Sequence, residues 1–228
     1  MSVASPNIMA QMEINSGLAR KILSGFIRDQ VEKVEMRGVI VGLSGGIDSA
    51  LSTYLAVDAL GAENVLALRM PYKTSSSATM TDAEAIIRDL GLPNMTVDIS
   101  DMADALIKQF PDMSNIRKGN IMARARMIVI YDQSAARGLL PLGTSNKTEF
   151  MLGYTTLFGD NAAAMQPIAD LYKCQVRQLS TAVGVPQAVI DKPPSADLWA
   201  GQTDGGELGF THDDADQVLF PLVAGRYT

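Results

Sequence analysis

The chain has 228 residues but only one cysteine, one histidine and one tryptophan. A single cysteine, Cys174, excludes an intrachain disulfide and a CxxC redox pair. A single histidine, His212, excludes a multi-histidine metal site. No apolar run approaches the roughly 20 residues that a membrane helix needs. The first residues, Met1-Ser-Val-Ala-Ser-Pro, lack the charged and apolar regions of a signal peptide. These absences point to a cytoplasmic protein with no membrane partner. Positive charge is scarce too: 19 Lys and Arg against 25 Asp and Glu leave a net charge of −6. That balance disfavours nucleic acid, whose binding rests on neutralising phosphates, but it leaves room for a local basic pocket. The composition is 47% hydrophobic and 19% charged, which fits one globular domain spanning 1–228.

The hydrophobic pattern alternates between two periods. Leu18, Ile22, Phe26, Ile27, Val31 and Val34 recur at helical spacing and predict a helix over about 15–36. The β-branched run Val39-Ile40-Val41 predicts a buried strand. A helix restarts at Ala50 and stops at Gly61; Val65–Leu68 reads as a second strand. Further helices are expected from Thr81 to near Gly91, over about 101–110, over about 115–137 and from Asp170 to Val183. Met95–Val97 and Leu139–Leu142 supply two more strands, and Pro193–Gly209 reads as a mobile loop rich in glycine, aspartate and serine. This order predicts an α/β fold: a doubly wound parallel sheet of about five strands with helices on both faces. Ligands of such sheets bind beyond the carboxyl ends of the strands.

At one of those ends lies Gly42-Leu43-Ser44-Gly45-Gly46-Ile47-Asp48-Ser49. Glycines let backbone N–H groups close around an anion, and the following helix start favours negative charge. No lysine follows the last glycine, as a Walker A loop requires, and the spacing is not GxGxxG. Asp48 would repel a phosphate unless a cation lay between them, and Mg²⁺ held by carboxylates plus phosphates meets that need.

Ser44-Gly45-Gly46-Ile47-Asp48-Ser49 resembles the SGGxDS pyrophosphate loop of the N-type ATP pyrophosphatases, with their adenine nucleotide alpha-hydrolase-like fold. Further segments resemble the ammonia-dependent NAD synthetase family. They are Lys118-Gly119-Asn120, Ala123–Met127, Gly143–Glu149, Gly153–Asp160, Leu171-Tyr172-Lys173, Pro194–Trp199, Gly201–Asp204 and Glu207-Leu208-Gly209. The resemblance covers nearly the whole chain. It implies a ligase that amidates deamido-NAD to NAD through an adenylate, using ammonia and releasing AMP and pyrophosphate. By the same resemblance, ATP is held by Gly42, Leu43, Ser44, Gly45, Gly46, Ile47, Asp48, Ser49, Thr144, Lys173 and Ser195. Mg²⁺ falls to Asp48 and Glu149, catalysis to Asp48 and Lys173, and deamido-NAD to Arg124. A homodimer is implied as well. The stripe Ile116, Asn120, Ala123, Met127 and Ile130 suits helix packing, either between subunits or within one. Arg126 reads as structural and pointing elsewhere, Cys174 as packing, and His212 as a surface residue.

The chain departs from the family pattern in three places. Leu157 and Ala164 stand where many relatives carry Lys and Asp, and Gly205 stands where Glu usually follows Gln-Thr-Asp. The family chain also continues past the segment matching Phe220–Thr228 with a basic tail that helps hold substrate. Two other readings are a nucleotide-binding protein with impaired catalysis, and an ATP pyrophosphatase that amidates a different substrate.

Overall fold

The computed structural model describes residues 7–195, 198–199 and 201–224. The calls on Met1–Pro6, on part of Pro194–Trp199 and on the end of Phe220–Thr228 therefore lie wholly or partly outside the described residues. In chain order the elements are α1 (Ile8–Gln11), α2 (Ser16–Lys33), β1 (Gly38–Gly42), α3 (Ile47–Leu60), β2 (Val65–Arg69), α4 (Ser77–Leu90), β3 (Asn94–Thr96) and α5 (Ser100–Ile107). They continue with α6 (Asn115–Arg137), β4 (Leu139–Leu142), α7 (Lys147–Leu152), α8 (Lys173–Val183), α9 (Gln187–Ile190), α10 (Asp204–Leu208) and α11 (His212–Val223).

The four strands pair in parallel in the order β3-β2-β1-β4. The fifth place holds only a one-residue parallel bridge between Leu142 and Met165. Two backbone bonds flank it: Ala164 N donates to Pro141 O at 2.9 Å and Gly143 N to Met165 O at 2.8 Å. Among the described residues no longer pairing follows, so the sheet has four strands where the alternation predicts about five. Pro141 has no N–H to offer the ladder, which suits a strand at the end of the sheet order.

Side chains alternate across the sheet as strand geometry dictates. Val39, Val41, Val65 and Ala67 join a core with α2, α3 and α8, whereas Ile40, Leu66 and Leu68 join a second core with α5 and α6. Helices thus cover both faces, as expected. From β1 the chain builds outward through β2 and β3, then returns to add β4 on the other side of β1. The loops after β1 and β4 therefore diverge at a topological switch point, where a crevice opens for a ligand.

Most predicted boundaries agree with the structure to within a few residues. The helix expected to start at Thr81 begins a turn earlier, because the Ser76 hydroxyl caps it by accepting from Thr79 N at 3.1 Å. The polar run Ser75-Ser76-Ser77 reads as a loop only until that cap is seen. The stretch read as a mobile loop contains α10, and Asp204 N donates to Pro194 O at 3.1 Å across its base.

Candidate active site

The glycine loop is shaped by its own hydroxyls. Ser49 Oγ donates to Gly46 O at 3.0 Å and accepts from Ser44 N at 3.2 Å; Ser44 Oγ accepts from Gly46 N at 3.2 Å. The N-cap of α3 is Gly46, and no side chain caps this helix. Its first amides are thus left to a ligand, at the end where the helix dipole favours an anion. Gly45 adopts φ +78°, and a Cβ there would lie 2.4 Å from Thr79 O. Only glycine meets both conditions. Gly45→Ala should therefore cost at least ~2 kcal/mol and weaken ATP binding tenfold or more, about 1.4 kcal/mol of affinity per decade. Chemical unfolding and calorimetric titration check this.

Three helix starts converge beside the loop. Asp48 lies in the first turn of α3, Glu149 in the first turn of α7, and Lys173 opens α8. Lys173 Nζ contacts Asp48 Oδ2 at 2.5 Å and Glu149 Oε1 at 3.3 Å, with its side chain only 2% exposed. Asn146 fixes the frame. Its Oδ1 accepts from Glu149 N at 3.0 Å, its own N donates to Glu149 Oε2 at 3.2 Å, and its Nδ2 donates to Asp48 Oδ1 at 2.8 Å. A capping box thus holds Glu149, and the remaining amide group of its Asn146 holds Asp48. Burial opposes the charge on Lys173, but the attraction of Asp48 and Glu149 outweighs it and raises its pKa. Burial pushes the Glu149 carboxyl up to about 7, against the pull of Lys173. The lysine is also anchored from behind. Thr148 Oγ1 accepts from Lys173 N at 2.9 Å and donates to Asp216 Oδ1 at 2.5 Å, while Asp216 Oδ2 accepts from Cys174 N at 2.9 Å.

These groups open into one cavity of about 450 Å³, also lined by Gly42, Leu43, Ser44, Gly46, Ile47, Ser49, Thr144 and Ser195. Nearly every residue expected at ATP therefore gathers here. Gly45 is the exception: it turns its back to the cavity and supports the loop against α4. Arg124 lies outside the cavity lining, exposed on α6, with Nε donating to Leu157 O at 3.1 Å.

Two readings need correction, and the alternative left open for the α6 stripe falls within the subunit. Arg126 does not point away: it lines the cavity and its Nε donates to Met70 O at 3.0 Å. Ala123, Met127 and Ile130 of the apolar stripe also line the cavity, so that face of α6 turns inward. The outer face carries Arg124, Ile128 and Tyr131 instead, because α6 is buried on two sides. Finally, His212 is no surface residue. It is 3% exposed, since α11 lays its first turn against the site. Burial lowers its pKa to about 4, with Lys173 adding to the effect. A folded value below the ordinary 6.5 means that acid must charge a buried ring. This share of stability is complete above about pH 6.5 and is lost as pH falls toward about 4. The wild type should lose ~2 kcal/mol more than His212→Gln between pH 7 and 4.5, read from denaturant midpoints. Cys174 does pack: it is buried beside Met12 and Tyr172, and burial pushes its thiol up to about 12.

Two participants lie in segments quoted for the family resemblance but were given no role there. Asn146 was legible as an Asn-x-x-Glu capping box ahead of α7. Asp204, 5% exposed, places a third carboxylate on the cavity wall. Its neighbour Tyr154 lies with its hydroxyl 3.3 Å from Asp204 Oδ1 and donates to Glu207 Oε2 at 2.5 Å. Among the described residues, no three His, Cys, Asp or Glu side chains gather as a metal cluster.

A sequence model of NAD synthase matches residues 20–226. This chain belongs to the NAD synthase family. An NH(3)-dependent NAD(+) synthetase of Trichlorobacter lovleyi is 53% identical over 218 residues, 96% of this chain and 80% of that protein. One from Chlorobaculum tepidum is 50% identical over 215 residues, covering 94% and 78%. Among solved structures, an NMN synthetase from Francisella tularensis superposes with a TM-score of 0.86 at 34% identity, covering 91% of this chain and 87% of its own. An NH3-dependent NAD synthetase from Campylobacter jejuni gives 0.81 at 34% identity, covering 94% and 86%. The doubly wound fold of this NAD synthase family member is therefore shared with those neighbours. Among the described residues, no helix is long and apolar enough to cross a membrane.

Proposed function

We propose that the protein amidates the nicotinate carboxylate of deamido-NAD, consuming ATP and ammonia and releasing NAD, AMP and pyrophosphate. The observation that carries this reading is the convergence of Asp48, Glu149 and Lys173 beside an anion-receiving loop in one cavity. The substrate carboxylate attacks the α phosphorus, and the bond to the β phosphate breaks. The amides opening α3 and the Lys173 ammonium stabilise the charge collecting on pyrophosphate. Ammonia then attacks the adenylate carbonyl and AMP leaves. The cavity acts by positioning and electrostatics, and nothing covalent is asked of Cys174.

An oxygen-only pair of carboxylates suits Mg²⁺ completed by phosphate oxygens and water. Asp48 and Glu149 already face one cation, the Lys173 ammonium, across 2.5 and 3.3 Å. They would hold the ion, whose contribution is to neutralise phosphate charge. A second cation beside Glu149 would also hold its carboxyl ionised despite burial.

We place deamido-NAD partly on Arg124, and so on the outer face of α6, in a homodimer. Support comes from the apolar surface there. Ile128 is 53% exposed, and in the adjoining turn Leu157 is 64% and Phe158 76% exposed. Phe158 holds φ 59°, a strained setting for a residue with a Cβ. Light scattering at micromolar concentration should give twice the chain mass, and a monomer that still makes NAD would refute a shared site. We place the protein in the cytoplasm, where ATP and pyridine nucleotides are at hand as substrates.

The test is NAD formation from deamido-NAD, ATP, Mg²⁺ and ammonium, with AMP released in equal amount. Nicotinate mononucleotide belongs in the same assay because one structural neighbour is an NMN synthetase. Faster turnover of the mononucleotide would replace the dinucleotide in this reading. ATP binding without turnover of either substrate would favour a catalytically impaired protein.

A further inference from the structure

α11 meets the active site with one face. His212 and Asp216 are four residues apart, so they project from the same side of the helix. Asp216 is fully buried and grips the rigid part of the site, accepting from Thr148 Oγ1 and from Cys174 N, next to Lys173. One turn earlier, His212 faces α10. Its Nε2 is buried without a hydrogen-bond partner among the described residues, and Asp204 Oδ2 lies 3.7 Å away. That separation is too long for a hydrogen bond, yet a shift of under an ångström would make one. Buried polar atoms nearly always find partners, so an orphan aimed at a carboxylate marks an unfinished contact.

Asp204 is the right residue to receive it. Its carboxylate lines the cavity, and its charge acts on Lys173 along with those of Asp48 and Glu149. Among the described residues its Oδ1 meets the Tyr154 hydroxyl at 3.3 Å, and that hydroxyl makes its shorter contact with Glu207. Glu207 in turn accepts from Gln202 Nε2 at 2.7 Å, and the Gln202 carbonyl accepts from Ser195 Oγ at 2.7 Å. A move of α10 is therefore felt at Ser195, on the cavity wall.

We propose that His212 is a positioning residue: its Nε2–H closes on Asp204 Oδ2 when nucleotide fills the cavity, docking α10 against the site. Asp216 supplies the fixed end of this bracket and His212 the closing end. The ring is flanked by Lys173 and Arg177 on one side of the charge balance and by Asp48, Asp204 and Asp216 on the other. Burial and the two cations keep it neutral, so it acts as a neutral donor rather than as half of an ion pair.

The experiment measures amide hydrogen exchange over 203–209, with and without Mg·ATP, in the wild type, His212→Phe and His212→Gln. The glutamine amide restores a donor at similar reach, whereas phenylalanine fills the space without one. Nucleotide should slow exchange about tenfold in the wild type and the glutamine variant, and leave it unchanged in His212→Phe. Asp204→Ala should lose the same protection, and the double variant no more than either alone. These arms require only nucleotide binding. The kinetic arm rests on the amidation reading: His212→Phe should lower kcat/KM for ATP about tenfold, because closure coupled to nucleotide contributes a like factor to its affinity, and His212→Gln should recover most of it. If the wild type binds ATP but makes no NAD, the amidation reading fails while the exchange result still decides the latch. Equal protection in His212→Phe, loss in His212→Gln as severe as in His212→Phe, or full protection in Asp204→Ala would overturn the proposal. So would absence of nucleotide-dependent protection in the wild type. Should His212→Phe not fold, the Asp204→Ala and His212→Gln comparison stands alone as the test.

Discussion

Lys173→Met should destabilise the protein by ~3 kcal/mol and reduce turnover by about two to three orders of magnitude. The side chain fills a buried slot between Asp48 and Glu149, and methionine matches its volume without its charge. Two carboxylates would then face each other with no cation. Glu149, already raised to about 7, would rise further and retain a proton at neutral pH. The sign of the pH effect follows. At Glu149 the folded variant binds more protons than the unfolded chain, so relative to the wild type its stability should increase as pH falls from about 8 to 5. Thermal melting across that range, with and without Mg·ATP, is the measurement. Lys173→Arg keeps the charge but offers a planar fork to a slot shaped for a compact ammonium, so activity should stay low. A methionine variant with wild-type turnover would remove Lys173 from the chemistry.

Asp48→Asn carries the second large effect, and its cost is not confined to catalysis. Asp48 accepts from Asn146 Nδ2 through one oxygen and from Lys173 Nζ through the other. An amide in its place turns an NH₂ toward one of those donors. Asn146 cannot flip to help, because its Oδ1 already accepts from Glu149 N. A lost acceptor in this setting costs ~1–3 kcal/mol, so the near-isosteric change should fold but melt earlier. Turnover should fall by about two to three orders of magnitude, with a raised Mg²⁺ requirement, because one of two ion-holding carboxylates is gone. Near wild-type turnover at limiting Mg²⁺ would show that the ion sits elsewhere.

The parts legible in the sequence are those set by local chemistry. The β-branched run of β1, the glycine loop and the start of α3 are contiguous, so their shape is written in neighbouring residues. The same holds for Asn146 and Glu149, three positions apart in a capping box. Asp48, Glu149 and Lys173 span more than a hundred residues, and only the family resemblance placed them together before the sheet order did. What stayed hidden depends on helix rotation. Arg124 and Arg126 differ by two positions, or about 200° around α6, and no local signal says which side the cavity takes. His212 was misread for a related reason. Polar neighbours in Thr211-His212-Asp213-Asp214 mark a helix start, but burial there is decided by docking of α11 onto α7 and α8.

The seal along β4 has a consequence for solubility. A strand at the end of a sheet usually presents free N–H and C=O groups to which another chain can add. Here Pro141 has no N–H, its carbonyl is taken by Ala164 N, and Gly143 N is taken by Met165 O. At the opposite border, β3 is only three residues long and carries Asn94 and Thr96. Neither border offers a long apolar template for intermolecular strand addition. The folded chain should therefore resist fibril growth by edge pairing, and aggregation should track unfolding of the sheet rather than the concentration of native protein.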